Sequence, residues 1–80
     1  MSEEINNGVA ITSVWSYEPA YVGNNKIVYQ NGSDGYKLYL KDLIEEGNGF
    51  AITSVVSDSA TYAGNNKIVY RTANRHWCAR

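Results

Sequence analysis

The sequence predicts an all-β fold of short antiparallel strands, and three observations lead to this expectation. Residues 8–30 and 49–71 align without a gap at an offset of 41, with fifteen of the 23 positions identical. Short β-branched and aromatic runs alternate with turns rich in Gly, Asn and Asp. No segment carries a sustained helical period with caps, and the weak hint at Lys41–Glu46 is too short to stand alone. The chain is therefore expected to hold two copies of one strand-built unit of about 40 residues.

The first repeat is expected to hold four strands, each supported by its own pattern. A run of small residues with one tyrosine ends at the Gly-Asn-Asn turn of residues 23–25, and a β-branched run follows that turn. Tyr36, Leu38 and Leu40 then recur at period two, which is typical of a strand with one apolar face. The β-branched content of the last run indicates a fourth strand. In chain order, the expected strands are Ala20–Val22, Lys26–Gln30, Tyr36–Asp42 and Phe50–Val56.

The second repeat is expected to be incomplete. At the constant offset, Trp77 corresponds to Tyr36 and Arg80 corresponds to Tyr39. The predicted domain is the whole chain, residues 1–80, with repeats over 8–48 and 49–80. The strands expected in the second repeat are Tyr62–Ala63, Lys67–Thr72 and His76–Arg80.

A four-stranded meander repeated at this spacing is typical of a β-propeller blade. The segment Val9–Trp15 resembles a fourth strand without a blade of its own, and the second repeat lacks its fourth strand. This complementarity predicts that residues 9–15 are donated to a neighbouring copy. Two blades cannot close a ring, so a homo-oligomer is expected. A trimer with six blades is favoured, a dimer or a tetramer stays open, and the alternative is a piece of a longer propeller.

Two stretches resemble the blade repeat of TolB-type propellers: residues 21–30 (YVGNNKIVYQ) and residues 34–43 (DGYKLYLKDL). They look closest to the variant found in archaeal surface-layer proteins, where the corresponding strands are structural. The resemblance implies blade packing and no particular ligand, and Tyr29 and Tyr70 stand where that family usually has Trp. The expected architecture is also similar to that of small two-blade lectins, which trimerise and bind sugars at blade junctions.

Charge and composition argue against several partners. Seven Lys and Arg against eight Asp and Glu give a net charge of -1 with no clustered basic patch, so neither nucleic acid nor a membrane surface is expected to bind. The polar start and the lack of a long apolar run predict no secretory signal and no spanning helix, and hence a cytoplasmic protein. The single cysteine allows no intramolecular disulfide.

Catalysis finds no support in the sequence. His76 and Cys78 lie near the chain end, and no motif places an acidic partner beside them. One histidine and one cysteine are also too few for a closed zinc site. Glu45 and Glu46 lie beside a turn, where solvated charge is the ordinary role. The chain is therefore predicted not to be an enzyme and to need neither cofactor nor metal.

Positions that differ between the repeats are the best candidates for ligand binding, because the shared positions carry the scaffold. Aromatic faces with polar groups beside them suit a sugar, although Trp15 could instead anchor the interface between copies. The expected function is a non-enzymatic binding or scaffold module with a lectin-like role, and the alternative is a structural fragment of a longer surface or phage propeller. The candidate ligand-binding residues are Trp15, Tyr17, Glu18, Tyr36, Arg71, Arg75 and Trp77.

Overall fold

Two antiparallel sheets make up the structure, a computed structural model that describes residues 10–73 and 75–80. The all-β prediction is confirmed, since the described residues form strands and turns and contain no helix. The first sheet has the order β1-β2-β3-β4 and the second the order β5-β6-β7. The strands are β1 Ser16–Gly23, β2 Lys26–Asn31, β3 Lys37–Asp42, β4 Phe50–Ala51, β5 Ser57–Gly64, β6 Lys67–Thr72 and β7 Trp77–Ala79.

The two hairpins β1–β2 and β5–β6 have the same register at the offset of 41. Ser16 pairs with Asn31 in the first, and Ser57 pairs with Thr72 in the second. Both turns are closed by an Asn-Asn pair with positive φ, a conformation that Asn tolerates better than most residues. A bulge interrupts β1 and β5 at the same relative place, where Glu18 has φ 54° and Ser59 has φ 58°.

The next hairpin differs between the sheets, because its turn is two residues shorter in the second. Gln30 pairs with Leu38, whereas Arg71 pairs with Trp77. Trp77 therefore occupies the register position of Leu38, and the correspondence with Tyr36 expected from a constant offset is wrong.

The shorter turn also changes which residues of the first sheet correspond to the residues around Trp77. Arg75 takes the place of Tyr36: the backbone N–H of Tyr36 donates to Asn31 O at 2.9 Å, that of Arg75 donates to Thr72 O at 2.8 Å, and both residues have positive φ. The predicted pairing of Arg80 with Tyr39 is wrong for the same reason, since Cys78 takes that place.

The core lies between the facing surfaces of the two sheets. Val22, Val28 and Leu38 of the first sheet pack with Ile68 of the second. Val28 is fully buried and Leu38 is 1% exposed. The alternation of apolar residues along β2 and β3 places this surface on one side of the first sheet. Half-buried side chains that pack around this core are Leu40, Ile52, Ala60, Tyr62 and Tyr70.

The fourth strand is shorter than expected, because a side chain replaces the backbone in its hydrogen bonding. Ile52 N donates to Leu38 O at 2.8 Å, but Leu38 N donates to the Thr53 hydroxyl at 2.9 Å rather than to a carbonyl. The regular ladder therefore ends at Ala51, and the strand predicted to reach Val56 is wrong in its extent.

The segment of residues 10–15 forms no strand, but it is held in the same way as residues 51–56. Trp15 O accepts from Gly32 N at 2.7 Å, and Val56 O accepts from Ala73 N at 3.0 Å. Ser16 and Ser57 each donate a hydroxyl hydrogen bond of 2.9 Å to the carbonyl two residues earlier. The ends of the two segments are thus placed alike, with Trp15 beside the first sheet and Val56 beside the second. Val9, which the sequence includes in this strand, lies outside the described residues.

Most strand positions agree with the sequence prediction. The strand at Lys67–Thr72 is confirmed, and the strand predicted at Lys26–Gln30 extends by one residue. β1 and β5 begin earlier than expected, at Ser16 and Ser57, because residues before each bulge still pair with the next strand. The region of the weak helical hint is the end of β3 followed by a turn, where the buried Lys41 donates its ammonium to Glu45 O.

Candidate functional site

Asp58, Arg71 and Trp77 form a polar and aromatic group on one face of the second sheet. They are neighbours across β5, β6 and β7, because Asp58 pairs with Arg71 and Arg71 pairs with Trp77. The guanidinium makes two hydrogen bonds to the carboxylate, Nε to Oδ1 at 3.1 Å and Nη2 to Oδ2 at 3.3 Å. The same guanidinium lies 5.9 Å from the centroid of the Trp77 ring. The Asp58–Arg71 ion pair therefore lies beside the Trp77 indole, which is 62% exposed.

The ion pair sets the protonation state of this group. The hydrogen bond from Arg71 holds the pKa of Asp58 below its usual value of 3.8, and the nearby charge of Arg75 acts in the same direction. The hydrogen bond to Asp58 raises the pKa of Arg71. The carboxylate and the guanidinium are thus both ionised at neutral pH, and each oxygen of Asp58 keeps capacity to accept a further hydrogen bond.

A second aromatic group lies at the same end of the first sheet. The rings of Tyr17 and Tyr36 are 6.0 Å apart and tilted by 30°. A Cβ atom on Gly32 would come within 2.8 Å of the Tyr17 ring, so the ring would have to shift if this residue carried a side chain. Trp15 contacts the same glycine through its backbone, and its own side chain is 74% exposed.

Glu18 connects the two sheets. Its carboxylate oxygen Oε1 accepts a hydrogen bond of 2.9 Å from the backbone N–H of Ser59. Both residues are bulge residues with positive φ, so the bulges on β1 and β5 face each other. The carboxylate satisfies a backbone donor that the bulge leaves unpaired, which gives Glu18 a structural role.

The described residues also form two large grooves. One of about 480 Å³ lies between the sheets and is lined by residues of both, among them Lys37, Val56 and Ala73. Another of about 460 Å³ lies between residues 10–13 and the turn after β3. Asn48 closes the second groove on one side, since its amide exchanges two hydrogen bonds with Ser13.

The structure places the predicted residues in two groups rather than one. Tyr17 and Trp15 lie against Gly32, and Tyr36 packs on Tyr17. Arg71 and Trp77 lie together on the second sheet, with Arg75 exposed nearby. Asp58 was absent from the prediction. Two differences between the repeats could have indicated it: Asp58 replaces Tyr17, and Arg71 replaces Gln30. The strand register places these two positions side by side.

Within the described residues, no cluster of three or more His, Cys, Asp or Glu side chains could hold a metal ion. The Cys78 thiol contacts the backbone carbonyl of His76 at 4.0 Å. Over the same residues, no helix is long and apolar enough to cross a membrane. Comparisons with protein-family models, with curated proteins and with solved structures find no match to this chain.

Proposed function

We propose that this chain is a self-assembling, non-enzymatic binding scaffold in which each copy supplies two blades of a β-propeller. Three copies would form a six-bladed ring, which suits the usual range of about four to eight blades. The proposal follows from the repeat and from the resemblance of residues 21–43 to TolB-type blades. A dimer or a tetramer would use the same contacts with four or eight blades.

The proposal rests on two exposed sheet faces, one on each sheet, whose counterparts on the other sheet pack against each other within the chain. Tyr62 packs against the first sheet within the chain, whereas Tyr21, its counterpart on the first sheet, is 61% exposed. Leu38 is 1% exposed within the chain, whereas Trp77, which takes its register position, is 62% exposed. The face of the first sheet around Tyr21 is thus exposed, whereas the corresponding face of the second sheet is packed. The face of the second sheet around Trp77 is exposed, whereas the corresponding face of the first sheet is buried. A second copy would cover both surfaces by repeating the packing already present.

A donated strand would complete the second sheet. In the first sheet, Ile52 and Thr53 bond to the backbone of Leu38. Residues 12–16 make the same local hydrogen bonds as residues 53–57. By this analogy, Ile11 N and the Thr12 hydroxyl of one copy would bond to the Trp77 backbone of the next. This pairing satisfies the edge of β7, which has no further partner among the described residues.

A matched pair of substitutions tests the assembly. Ile11→Lys places a charge where its counterpart Ile52 packs beside the core, so the proposal predicts loss of the oligomer. Ile44→Lys introduces the same charge at a turn residue that is 79% exposed, and it should leave the oligomer intact. Size-exclusion chromatography with light scattering measures both. Equal masses for the two variants would overturn the strand-donation step.

Carbohydrate is the ligand class that the outer face favours. The Trp15 indole, which is 74% exposed, suits the C–H groups of a sugar ring, and the Asp58–Arg71 ion pair offers both an acceptor and donors for adjacent hydroxyls. A glycan array with the intact chain tests this role. A blank array would instead favour the alternative, a structural piece of a longer propeller without a ligand of its own.

A further inference from the structure

A small groove lies between the two sheets at the end where both Gly-Asn-Asn turns lie, and we call it the turn-side groove. Its lining includes Val22, Lys26, Leu40, Tyr62, Asn66 and Ile68. This end is opposite to the Asp58–Arg71 ion pair, because Gly64 and Lys67 pair at one end of the hairpin and Asp58 and Arg71 at the other. The groove has a volume of about 210 Å³. Residues of a single chain form it, so it exists without the proposed ring.

The floor of the turn-side groove is apolar and belongs to the core. Val22 and Ile68 are each 8% exposed, and Leu40 packs beside them. The ring of Tyr62 adds a wall, and its hydroxyl accepts a hydrogen bond of 3.1 Å from Asn66 N. The sheets and this hydrogen bond hold the lining in place, so the groove is formed before a ligand arrives.

The rim of the turn-side groove is polar and carries one charge. Lys26, Asn24 and Asn66 line it, and among the described residues no Asp or Glu does. The ammonium of Lys26 lies 3.8 Å from Asp42 Oδ2, which is beyond hydrogen-bonding distance. The other carboxylate oxygen of Asp42 accepts a hydrogen bond of 3.1 Å from Ile44 N. The ion pair is therefore loose, and the ammonium keeps hydrogen-bond donors for a ligand.

The second sheet has the same turn and a lysine at the same position, but a smaller apolar surface. Ala63 and Ala79 take the positions of Val22 and Leu40. The lysine of the second sheet, Lys67, is exposed, whereas that of the first sheet is half-buried. Within the chain, an apolar floor beside a half-buried ammonium is thus a feature of the turn-side groove.

We propose that the turn-side groove binds a small monocarboxylate with an apolar body. The carboxylate pairs with the Lys26 ammonium in a charge-assisted hydrogen bond, and the apolar body covers the floor. Sites for drug-sized ligands have volumes of about 300 to 1,000 Å³. The smaller volume of this groove limits the body to a single aromatic ring or a short alkyl chain.

A titration with four probes tests the ligand class. Benzoate and pentanoate combine the charge with an apolar body, benzamide has the ring without the charge, and acetate has the charge without the body. Each is titrated at constant ionic strength into the isotope-labelled chain, and the backbone amide signals are followed by nuclear magnetic resonance. Benzoate or pentanoate should shift the signals of Gly23, Asn24 and Asn66 in a saturable way.

The two controls should bind about tenfold more weakly or less, as expected when one charge-assisted hydrogen bond or the apolar contact is lost. If neither benzoate nor pentanoate shifted these signals in a saturable way, the proposal would be overturned. Equal binding of benzamide and benzoate would also overturn it, because the ammonium would then have no part in recognition.

Substitution of Lys26 tests the residue that supplies the charge. Lys26→Met keeps an unbranched side chain without the ammonium, so it should weaken binding of the preferred carboxylate by about tenfold. Lys37→Met is the matched control, because Lys37 also lies on the first sheet in an ion pair, 3.3 Å from Asp34, but outside this groove. It should keep the wild-type affinity. Equal affinities of the two variants would contradict the role of Lys26.

Two further measurements keep the test decisive. The amide spectrum reports the fold of every sample, and Lys26→Gln carries the test if Lys26→Met does not fold. Light scattering on the same samples separates the site from the assembly. Binding to a monomeric chain would support the site and contradict the ring, whereas an assembled chain without binding would overturn the site alone.

Discussion

The two sheets share one hairpin design but differ in what surrounds it. The first sheet has a fourth strand and buries Leu38 to 1% exposure, whereas the second has three described strands and leaves Trp77 at the same register position 62% exposed. Tyr62 packs on the neighbouring sheet, and its counterpart Tyr21 does not. Burial in this protein therefore follows the presence of a neighbouring sheet rather than the residue type. The face of the second sheet that corresponds to the buried face of the first has no neighbouring sheet among the described residues.

Substitution of Leu38 is expected to have the largest effect on the free energy of unfolding. Leu38→Ala removes a buried side chain from the centre of the core, so the free energy of unfolding should fall by about 2 to 5 kcal/mol. The control Ile44→Ala changes a side chain that is 79% exposed and should alter stability by less than about 0.5 kcal/mol. Urea denaturation measures both. Similar losses for the two variants would show that the core does not lie between the sheets.

Gly49 tests the fourth strand that distinguishes the first sheet. Gly49 has φ +80°, and a Cβ atom there would overlap the backbone of Leu40 on β3. Gly49→Ala should lower the free energy of unfolding by about 2 to 4 kcal/mol. Gly47→Ala is the matched control, because Gly47 also has positive φ but meets nothing within 4 Å. It should cost only about 1 kcal/mol. Equal costs would argue against close packing of residues 48–50 on β3.

Substitutions of Tyr62 and Tyr21 compare a packed sheet face with an exposed one, and their expected effects on stability are intermediate. Tyr62→Ala should cost about 1 to 2 kcal/mol, roughly half the value for a fully buried aromatic side chain. Tyr21→Ala should have the smaller effect on unfolding of the isolated chain, but it should reduce the mass of the assembly at low concentration. Chemical denaturation and light scattering are measured on the same samples. A Tyr21 variant with the wild-type mass at every concentration would contradict the role of this face.

The smallest expected effect is on pH dependence. Folding lowers the pKa of Asp58, so the folded state favours the ionised form, and its contribution is present above the unfolded pKa near 3.8. That contribution is lost as the pH falls through the lowered pKa. Asp58→Asn should reduce the loss of stability between pH 4 and pH 2, as measured by thermal unfolding. Asp34→Asn should act similarly in the first sheet, where Tyr39 and Lys37 lower the pKa of Asp34. An unchanged acid profile in both variants would contradict these pairings.

Much of the fold could be predicted from the sequence, because the turns carry their own chemistry. The Gly-Asn-Asn turns and the β-branched runs after them place β2 and β6 within one residue of the observed strands. The extent of β4 could not be predicted, since it depends on the hydroxyl of Thr53 taking a backbone hydrogen bond. The correspondence of Trp77 with Leu38 was missed, because a shortened turn shifts the register without changing the strands on either side.

The candidate site was predicted only in part. Arg71 and Trp77 stood out because they differ from the other repeat, and the structure brings them together. Asp58 was not among the candidates, since only the strand register shows that it faces Arg71. Glu18 was expected to meet a ligand, yet it accepts a backbone hydrogen bond across the two sheets. Sequence differences thus locate variable positions, and strand pairing decides which of them act together.

The mass of the chain in solution decides whether identical copies assemble into a ring. Multi-angle light scattering should give a single species of about three times the 8.9 kDa chain, or two or four times that mass if the ring has four or eight blades. Those masses would mean that identical copies cover the open faces of the two sheets. A monodisperse species of one chain mass, across the concentrations at which the chain is folded, would rule out the proposed ring.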